Sequence, residues 1–423
     1  MAKAADLLSI TSRVEVPFIV AKIADMTLGQ FQRSKMGSKD KFNHQYINVS
    51  YPNFIKTLTV DKNANGMVNN YTLTLTYAVT EKDDPNLIEK LLSKAKTDRK
   101  IIFSYGDYTL PNFIFKEEEA IITDVTNDMD INNHTLTYVI KAVSNSYVAS
   151  AGKYSFAAVR MKGSDRIKQL LFNTEYQLTS LFPGMQSMNM VEKVGFIASD
   201  DSAVLIEAKD NISIIEYIKY VVSCMRWAQD TSNRKTSIYK IAVYDDILSE
   251  FGGAYFKVVR YRTNTEVIDT EDMDYMNLDI GYPDKNAVIS FKVTDSQNYA
   301  MLYEYNESLE APQYQYRIKS DGSVDYQKSS RVMTNNELDK VTEAERTWWT
   351  KMTSYPVNAK LVIRGLIRNV ELLSMIRINV LFYGKKHIHS GIYAVNSHQD
   401  TVDENGFRTT LTLIRVGGAT LWN

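Results

Sequence analysis

The residues best suited to chemistry are histidines near the end of the chain. The chain has five histidines, and three of them, His387, His389 and His398, lie between positions 387 and 398. Imidazole rings two residues apart on a strand share one face and can bind one metal ion. No carboxylate motif accompanies these rings, and surface histidines at the end of a strand explain the pattern equally well. We therefore expect no resident metal and no cofactor, and we keep the three histidines as the candidate ligands.

Other catalytic patterns are missing from the sequence. It contains no Gly-x-Ser-x-Gly elbow and no Gly-x-x-x-x-Gly-Lys-Ser/Thr phosphate loop. The single cysteine, Cys224, follows an apolar stretch and is interpreted as a small buried hydrophobic residue. The three glutamates at 117–119 could supply an acid and a base, but we interpret them as a surface charge run. We therefore predict that the protein is not an enzyme.

Charge and length exclude further classes. The 423 residues (48.3 kDa) carry 49 basic and 50 acidic side chains, a formal net charge of -1. A general nucleic-acid binder shows a basic excess or stripe, and the densest basic cluster here is only residues 385–387. The sequence shows no signal-peptide pattern and no apolar run near the ~20 residues that span a membrane. We expect a chain of two to four domains, folded in a cytoplasm.

The first part of the chain has the period of β-strands. Apolar and polar residues alternate over 55–60 and again over 71–77, with an Asn-Gly-containing turn between them, which predicts a β-hairpin. The period then changes, and 84–95 is predicted to be a helix with Asp84 as its N-cap. Strands are predicted at 100–105, 119–125 and 134–143. Residues 1–155 therefore form a first barrel-like or sandwich-like domain.

The middle of the chain predicts helices. Residues 164–172 have the pattern of a capped helix. Residues 211–222 predict a second helix, in which Ser213 and Glu216 form a capping box and the apolar positions share one face. We assign 156–236 to a small helical adaptor region.

Strands return in the last part of the chain. They are predicted at 238–244, 255–262, 287–293 and 300–305, and the acidic stretch 269–274 is interpreted as a solvated loop. Residues 306–356 are polar and irregular, with a helix expected at 336–351. This gives a second β-rich domain over 237–356 with a long polar insertion, followed by C-terminal strands over 357–423. The predicted class is mainly β with α insertions (α+β).

The C-terminal block carries a more specific pattern. A small-Gly-x-Tyr-x-Val segment contains Gly391, Tyr393 and Val395, and His398 follows it. A turn signal ends at Gly406, and an aromatic-x-Thr-x-Leu-x-Leu strand with a closing arginine follows. Its members are Phe407, Thr409, Leu411, Leu413 and Arg415, whose odd-numbered positions line one side of the strand. This segment resembles the C-terminal part of baseplate hub proteins from contractile phage tails and related injection systems.

The resemblance covers roughly 60 residues specifically and residues 164–228 more loosely. It implies two barrel-like tube domains flanking the adaptor region, the first over 1–155 and the second completed by 357–423. It also implies a homotrimer whose six barrels surround a channel. The implied partners are the tail tube protein, a separate central spike protein and baseplate wedge proteins. DNA would pass through the channel without sequence-specific binding, and the protein would reside in the virion tail baseplate after assembly in the host cytoplasm.

Two other functions fit the same residues. One is another tail ring or adaptor protein of the distal-tail type, with six-fold or twelve-fold symmetry. The other is a tail-tip cell-wall hydrolase or glycan-binding protein, which needs a cleft lined by acids and aromatic residues. Stoichiometry separates the first alternative from the hub, and glycan binding or cell-wall lysis separates the second.

Overall fold

A computed structural model of the chain describes residues 17–29, 55–64, 66–78, 93–107, 114–172, 201–228, 237–245, 247, 255–262, 274–279, 288–295, 302–303, 313–318, 324–329, 357–364, 370, 372–387, 389–403 and 406–417. Strands β1 to β7 are Pro17–Ile23, Met26–Gly29, Ile55–Asn63, Asn70–Ala78, Lys100–Asp107, Ile114–Asp130 and Thr135–Ser144. A 3-10 helix, Asn145–Ser150, follows β7.

The middle region contains β8 (Tyr154–Phe156), β9 (Val159–Lys162), helix α1 (Gly163–Phe172), β10 (Ala203–Ile206), β11 (Lys209–Ile212) and helix α2 (Ile214–Cys224). Strands β12 to β18 are Ser237–Tyr244, Tyr255–Arg262, Asp274–Asp279, Val288–Asp295, Leu302–Tyr303, Gln313–Ile318 and Val324–Ser329. Strands β19 to β23 are Val357–Arg364, Met375–Phe382, Lys385–Lys386, Gly391–Asp403 and Gly406–Gly417.

Strands from both ends of the chain form one large sheet. Its order is β15-β19-β23-β22-β3-β4-β7-β6-β5-β1-β2, and β14, β20 and β21 branch from β22. The two halves meet where β3 pairs with β22 in antiparallel register, with His398 opposite Lys62 and Val402 opposite Leu58. Strand pairing therefore crosses from the predicted first domain to the C-terminal strands.

The alternating sequence pattern explains the hairpin next to this seam. In β3 the buried positions Leu58, Val60 and Lys62 are separated by one residue each, and in β4 the same holds for Tyr71, Leu73 and Leu75. Successive side chains of a strand point to opposite faces, so one face of this hairpin lies in the interior. The predicted β-hairpin is confirmed.

The buried face of the sheet curves onto itself. Tyr105 of β5 and Phe407 of β23 lie edge to face with ring centroids 6.0 Å apart, although β5 and β23 are not neighbours in the sheet. Val402 and Phe407 accordingly pack in the same core as the apolar residues of β1 to β7. The N-terminal core therefore contains side chains contributed by the C-terminal hairpin.

Two further cores lie beside this one. The first combines α1 and α2 with the β12–β13 hairpin, and Tyr217 stacks on Phe156 with centroids 3.8 Å apart. The second joins β19, β20, β22 and β23, and includes Leu361, Ile378 and Leu411. Ala242 and Tyr244 of β12 belong to this second core, so β12 borders both of them.

Most of the predicted elements are present, and the mainly β class is confirmed. The predicted helices at 164–172 and 211–222 correspond to α1 and α2, and the Ser213–Glu216 capping box is formed. Among the described strands no closed barrel is found, because the main sheet is an open path from β15 to β2. The domain boundaries stay a prediction. The helix at 336–351, the acidic stretch 269–273 and most of the helix at 84–95 lie outside the described residues.

One expectation needs correction in the 306–356 segment. It was expected to be irregular, but β17 and β18 form an antiparallel hairpin in it, with Tyr316 opposite Tyr326. Alternating polar and aromatic residues are compatible with a strand as well as with an exposed loop. The segment has few apolar residues, so its strand pattern was interpreted as a loop.

The capping box of α2 gives a test of the helical core. Ser213→Ala removes the hydroxyl that accepts the Glu216 backbone N–H, and we expect the free energy of unfolding to fall by about 1 kcal/mol. Urea unfolding followed by circular dichroism measures this. Ser223→Ala, at the exposed end of the same helix, is the matched control, and an equal loss in both variants would contradict the capping role.

Candidate functional site

A cluster of buried polar side chains occupies the seam between the two halves of the large sheet. We call it the polar junction. Six strands and the residue that follows β12 contribute to it. Its buried members are Lys62, Tyr71, Tyr105, Glu118, His398, Asp400, Thr409 and Asp245, with Asn69 just before β4, and the half-buried Lys116 completes it.

Strand alternation places these charges in the interior. The inward face of β3 carries Leu58, Val60 and Lys62 in chain order. In the antiparallel register these residues lie opposite Val402, Asp400 and His398 of β22, respectively. The seam is therefore apolar at one end and charged at the other.

Lys62 and Glu118 form the central ion pair. The Lys62 Nζ donates to Glu118 Oε1, and both side chains are almost fully buried. The Tyr71 hydroxyl donates to Glu118 Oε2 at 2.9 Å, and the Tyr105 hydroxyl lies 3.3 Å from Oε1. Burial alone would favour the neutral carboxyl, but the attraction of Lys62 and then Lys116 outweighs it and lowers the pKa of Glu118. Lys62 is correspondingly held charged, with a raised pKa.

Asp400 is the second buried carboxylate. The Thr409 hydroxyl donates to its Oδ1 at 2.6 Å, and the Lys116 ammonium lies 2.6 Å from its Oδ2. The His398 Nε2 lies 3.0 Å from Oδ1. Burial would raise the pKa of Asp400, but His398 and Lys116 together hold it well below its usual range. For His398 burial dominates and lowers the pKa, so the imidazole is neutral at pH 7 and donates an N–H to Asp400.

Asp245 connects the junction to the β12–β13 hairpin. Its Oδ2 accepts from the Asn69 side-chain amide at 2.6 Å and lies 3.0 Å from the Tyr71 hydroxyl oxygen. Just beyond it, the Ile247 N–H donates to the Glu117 carbonyl at 2.9 Å. Burial raises the pKa of Asp245 to about 7, and the nearby Glu118 charge acts in the same direction. The junction thus ties together the N-terminal strands, the C-terminal hairpin and the β12 region.

The charges of the junction balance at neutral pH. Two ammonium groups, on Lys62 and Lys116, face two ionised carboxylates, on Glu118 and Asp400. A third negative charge on Asp245 would have no cation of its own, which explains physically why that carboxyl stays protonated to higher pH. The arrangement is suited to fixing strand positions. It contains no exposed nucleophile among its members.

The residues of the hub-like motif lie around the polar junction and in the core formed by β19, β20, β22 and β23. Gly391 opens β22, and Gly406 adopts a φ of 112° where the β22–β23 hairpin turns back. The buried Tyr393 donates its hydroxyl to the His389 carbonyl at 2.7 Å, and the Arg415 Nη2 donates to the Ser390 carbonyl at 2.8 Å. The remaining motif positions are all buried: Val395, Thr409, Leu411 and Leu413.

The candidate metal ligands do not meet as one cluster. His387 and His389 have ring centroids 4.8 Å apart, but they lie in a turn after β21 instead of on a strand. His398 is buried in β22 and faces Asp400, which corrects its interpretation as a surface histidine. Among the described residues no group of three His, Cys, Asp or Glu side chains is placed to hold a metal ion.

The polar junction itself was not predicted from the sequence. Glu118 was interpreted as part of a surface charge run, yet it is 1% exposed. A signal was available, because Glu118 shares strand parity with Ala120 and Ile122, and all three are buried. Cys224 is buried, as predicted.

The chain was compared with known proteins. Neither a protein-family model nor a curated protein matches it. Among solved structures it is similar to the 43 kDa tail protein of a prophage from Shewanella oneidensis, with 10% identity and a TM-score of 0.48 over 94% of this chain and 98% of that one. It is also similar to a tail protein from Neisseria meningitidis, with 6% identity and a TM-score of 0.48 over 95% and 99%.

A third similar structure is an Escherichia coli component of the type VI secretion system, which itself resembles T4 bacteriophage tail proteins. It has 7% identity and a TM-score of 0.42 over 87% of this chain and 75% of that one. Phage tail proteins and injection-system components are the classes that the C-terminal motif predicted. In the described part of the chain no helix combines the length and the apolar character that crossing a membrane requires.

The central ion pair gives a prediction on stability. Lys62→Met leaves Glu118 buried without its cation, and we expect the free energy of unfolding to fall by about 3–5 kcal/mol. Adding Glu118→Gln should restore part of this loss, because neither charge is then buried alone. Urea unfolding measures all three proteins.

Lys100→Met is the matched control for this substitution. Lys100 pairs with Glu119 at 2.7 Å, but its side chain is 69% exposed, so its removal should cost less than about 1 kcal/mol. Equal losses for Lys62→Met and Lys100→Met would show that the buried pair has no special role.

Asp245 gives a prediction on pH dependence. Its pKa is raised to about 7 in the folded protein, compared with about 4 in an unfolded chain. The folded state therefore binds the extra proton between these values, and stability falls as pH rises from about 4 to 7, by at most about 1.4 kcal/mol per pH unit. Asp245→Asn should lack this component. The opposite contribution of His398 is present in both proteins and cancels from the difference.

Apparent urea midpoints at pH 5, 6, 7 and 8 measure the effect. The urea midpoint of Asp245→Asn should rise steadily relative to that of the native chain as the pH increases to about 7. Asp210→Asn, at an exposed carboxyl on β11, should follow the native chain. A gap that is constant with pH would mean that Asp245 titrates alike in the folded and unfolded states.

Proposed function

We propose that this protein is the central hub of a phage-type tail baseplate, and that it acts as a structural homotrimer. Two barrel-like tube domains per chain would give six around a channel that continues a six-fold tail tube. The hub joins the tail tube protein to a central spike, is held by wedge proteins and lets DNA pass without binding its sequence. Its location is the virion tail.

The observation that carries the proposal is the β3–β22 seam with its polar junction. Two strand-rich halves share one sheet, and side chains of the C-terminal hairpin complete the N-terminal core. A part that transmits mechanical force needs its halves fixed relative to each other. The motif that resembles hub proteins lies on the hairpin that makes this seam, and most of its side chains are buried.

Other features agree with a structural role. The net charge of -1 suits a channel that DNA passes without being retained. Among the described residues, Ile131 (82% exposed) and Tyr383 (66%) are the most exposed large apolar side chains, and they are available for contacts with other proteins. The ionised groups of the junction are buried and paired, so their role is positional instead of catalytic.

The function is tested first by solution mass. We expect light scattering over a concentration series to give about three chains (3 × 48.3 = 144.9 kDa), and negative-stain images of that peak to show rings with an open centre. A six-fold or larger ring would replace the hub with a distal-tail adaptor. A compact monomer that binds glycans or lyses cell walls would contradict the structural role altogether.

A further inference from the structure

Among the described strands, the outer edge of the β6–β7 hairpin has no partner strand near its tip. Strand β5 pairs with β6 only from Ile114 to Ile121, whereas β6 continues to Asp130 alongside β7, which β4 flanks as far as Thr135. Nearly all residues from 123 to 134 are exposed. We call residues 123–134 the arm. Its end carries two large apolar side chains in solvent, Met129 (64% exposed) and Ile131 (82% exposed).

The arm is acidic as well as apolar. It contains Asp124, Asp128 and Asp130 and no lysine or arginine. Lys141, on the neighbouring strand, lies 3.5 Å from Asp124 and balances it. Asp130 accepts hydrogen bonds from Asn133 and Asn132, which lower the pKa of that carboxyl and keep it ionised. Asp128 and Asp130 therefore leave two negative charges beside Met129.

A second exposed tip has the opposite charge. Strands β20 and β21 are joined by a tight turn in which Tyr383 and Gly384 have φ values of 50° and 77°. Phe382 (52% exposed) and Tyr383 (66% exposed) stand on it with ring centroids 5.1 Å apart. Residues 382–386, which we call the aromatic turn, include Lys385 and Lys386 and no acidic residue.

The two tips complement each other in both properties. Apolar side chains at the centre of a contact, with opposite charges at its rim, favour association and fix its orientation. Methionine packs well against aromatic rings. The negative charges of Asp128 and Asp130 on the arm match the positive charge of the exposed Lys385 on the aromatic turn. Because the matching surfaces are different patches of the same chain, the contact they favour is head-to-tail, which closes into a ring when the rotation between copies allows it.

We propose that the arm of one copy docks on the aromatic turn of the next copy, so that each protomer gives one such contact and receives one. This inference rests on the proposed function, since it needs a ring, but it names the residues that join the copies. The contact is small, and it sets the order and direction of the protomers beside the larger strand-rich interface that the ring requires.

Charge exchange tests the pairing. Asp128→Lys or Lys385→Glu alone places like charges together, and each should raise the concentration at which half the ring dissociates by about tenfold or more. The double variant restores opposite charges and should return this concentration to near the native value. Asp210→Lys, the same exchange at an exposed aspartate on β11, should leave it unchanged. Light scattering over a dilution series measures all four proteins.

Disulfide trapping tests the geometry independently. The native Cys224 is buried, so cysteines introduced by Met129→Cys and Tyr383→Cys are the accessible thiols in the variant. Under mild oxidation, the double variant should give covalent dimers and closed trimers on a non-reducing denaturing gel. Each single variant should give neither.

The outcomes separate this inference from the proposed function. Trimeric rings would overturn the docking if they form with no disulfide crosslink in the double cysteine variant and if the charge substitutions leave their dissociation concentration unchanged. The proposed hub function would still stand in that case. Covalent dimers from Met129→Cys alone would mean that the arms meet each other, which also overturns it. A chain that stays monomeric at every concentration contradicts the docking, and the hub would then be tested by adding tail tube protein.

Discussion

The buried pairing of Lys62 with Glu118 is the constraint on which the rest of the described architecture depends. An ammonium group and a carboxylate are stable in an interior only when they lie against each other and their remaining hydrogen bonds are satisfied. Tyr71 and Tyr105 satisfy the carboxylate here. Strands β3, β4, β5 and β6 must therefore keep one mutual arrangement, and any other leaves a charge buried alone.

The same constraint extends to the C-terminal hairpin. A slip of one residue between β3 and β22 would turn Asp400 and His398 away from the interior and bring Gln399 and Thr401 into it. Asp400 would then lose Lys116 of β6, whereas Thr409, its partner on the same hairpin, would move with it. Buried ion pairs contribute little net stability compared with apolar packing, but they penalise wrong registers strongly. In this chain they define how two strand-rich halves join, which is the property that a rigid ring component requires.

Much of the fold could be predicted from the sequence because local patterns dominate it. The alternation in β3 and β4, the capping box of α2 and the turn at Gly406 each follow from the chemistry of a few neighbouring residues. The seam between β3 and β22 could not be predicted this way, since its partners are separated by more than 300 positions. Glu118 was misinterpreted for a related reason, because a run of three glutamates is expected at the surface unless the distant partner of one of them is known.

We propose that three copies of this chain form a ring around an open channel. A single-particle cryo-electron-microscopy reconstruction of the purified assembly, calculated without imposed symmetry, tests this directly. We expect three protomers around a lumen, with the β3–β22 seam intact in each and strand-rich domains alternating six times around the axis. Six or twelve equivalent protomers, or particles with no central channel, would contradict it.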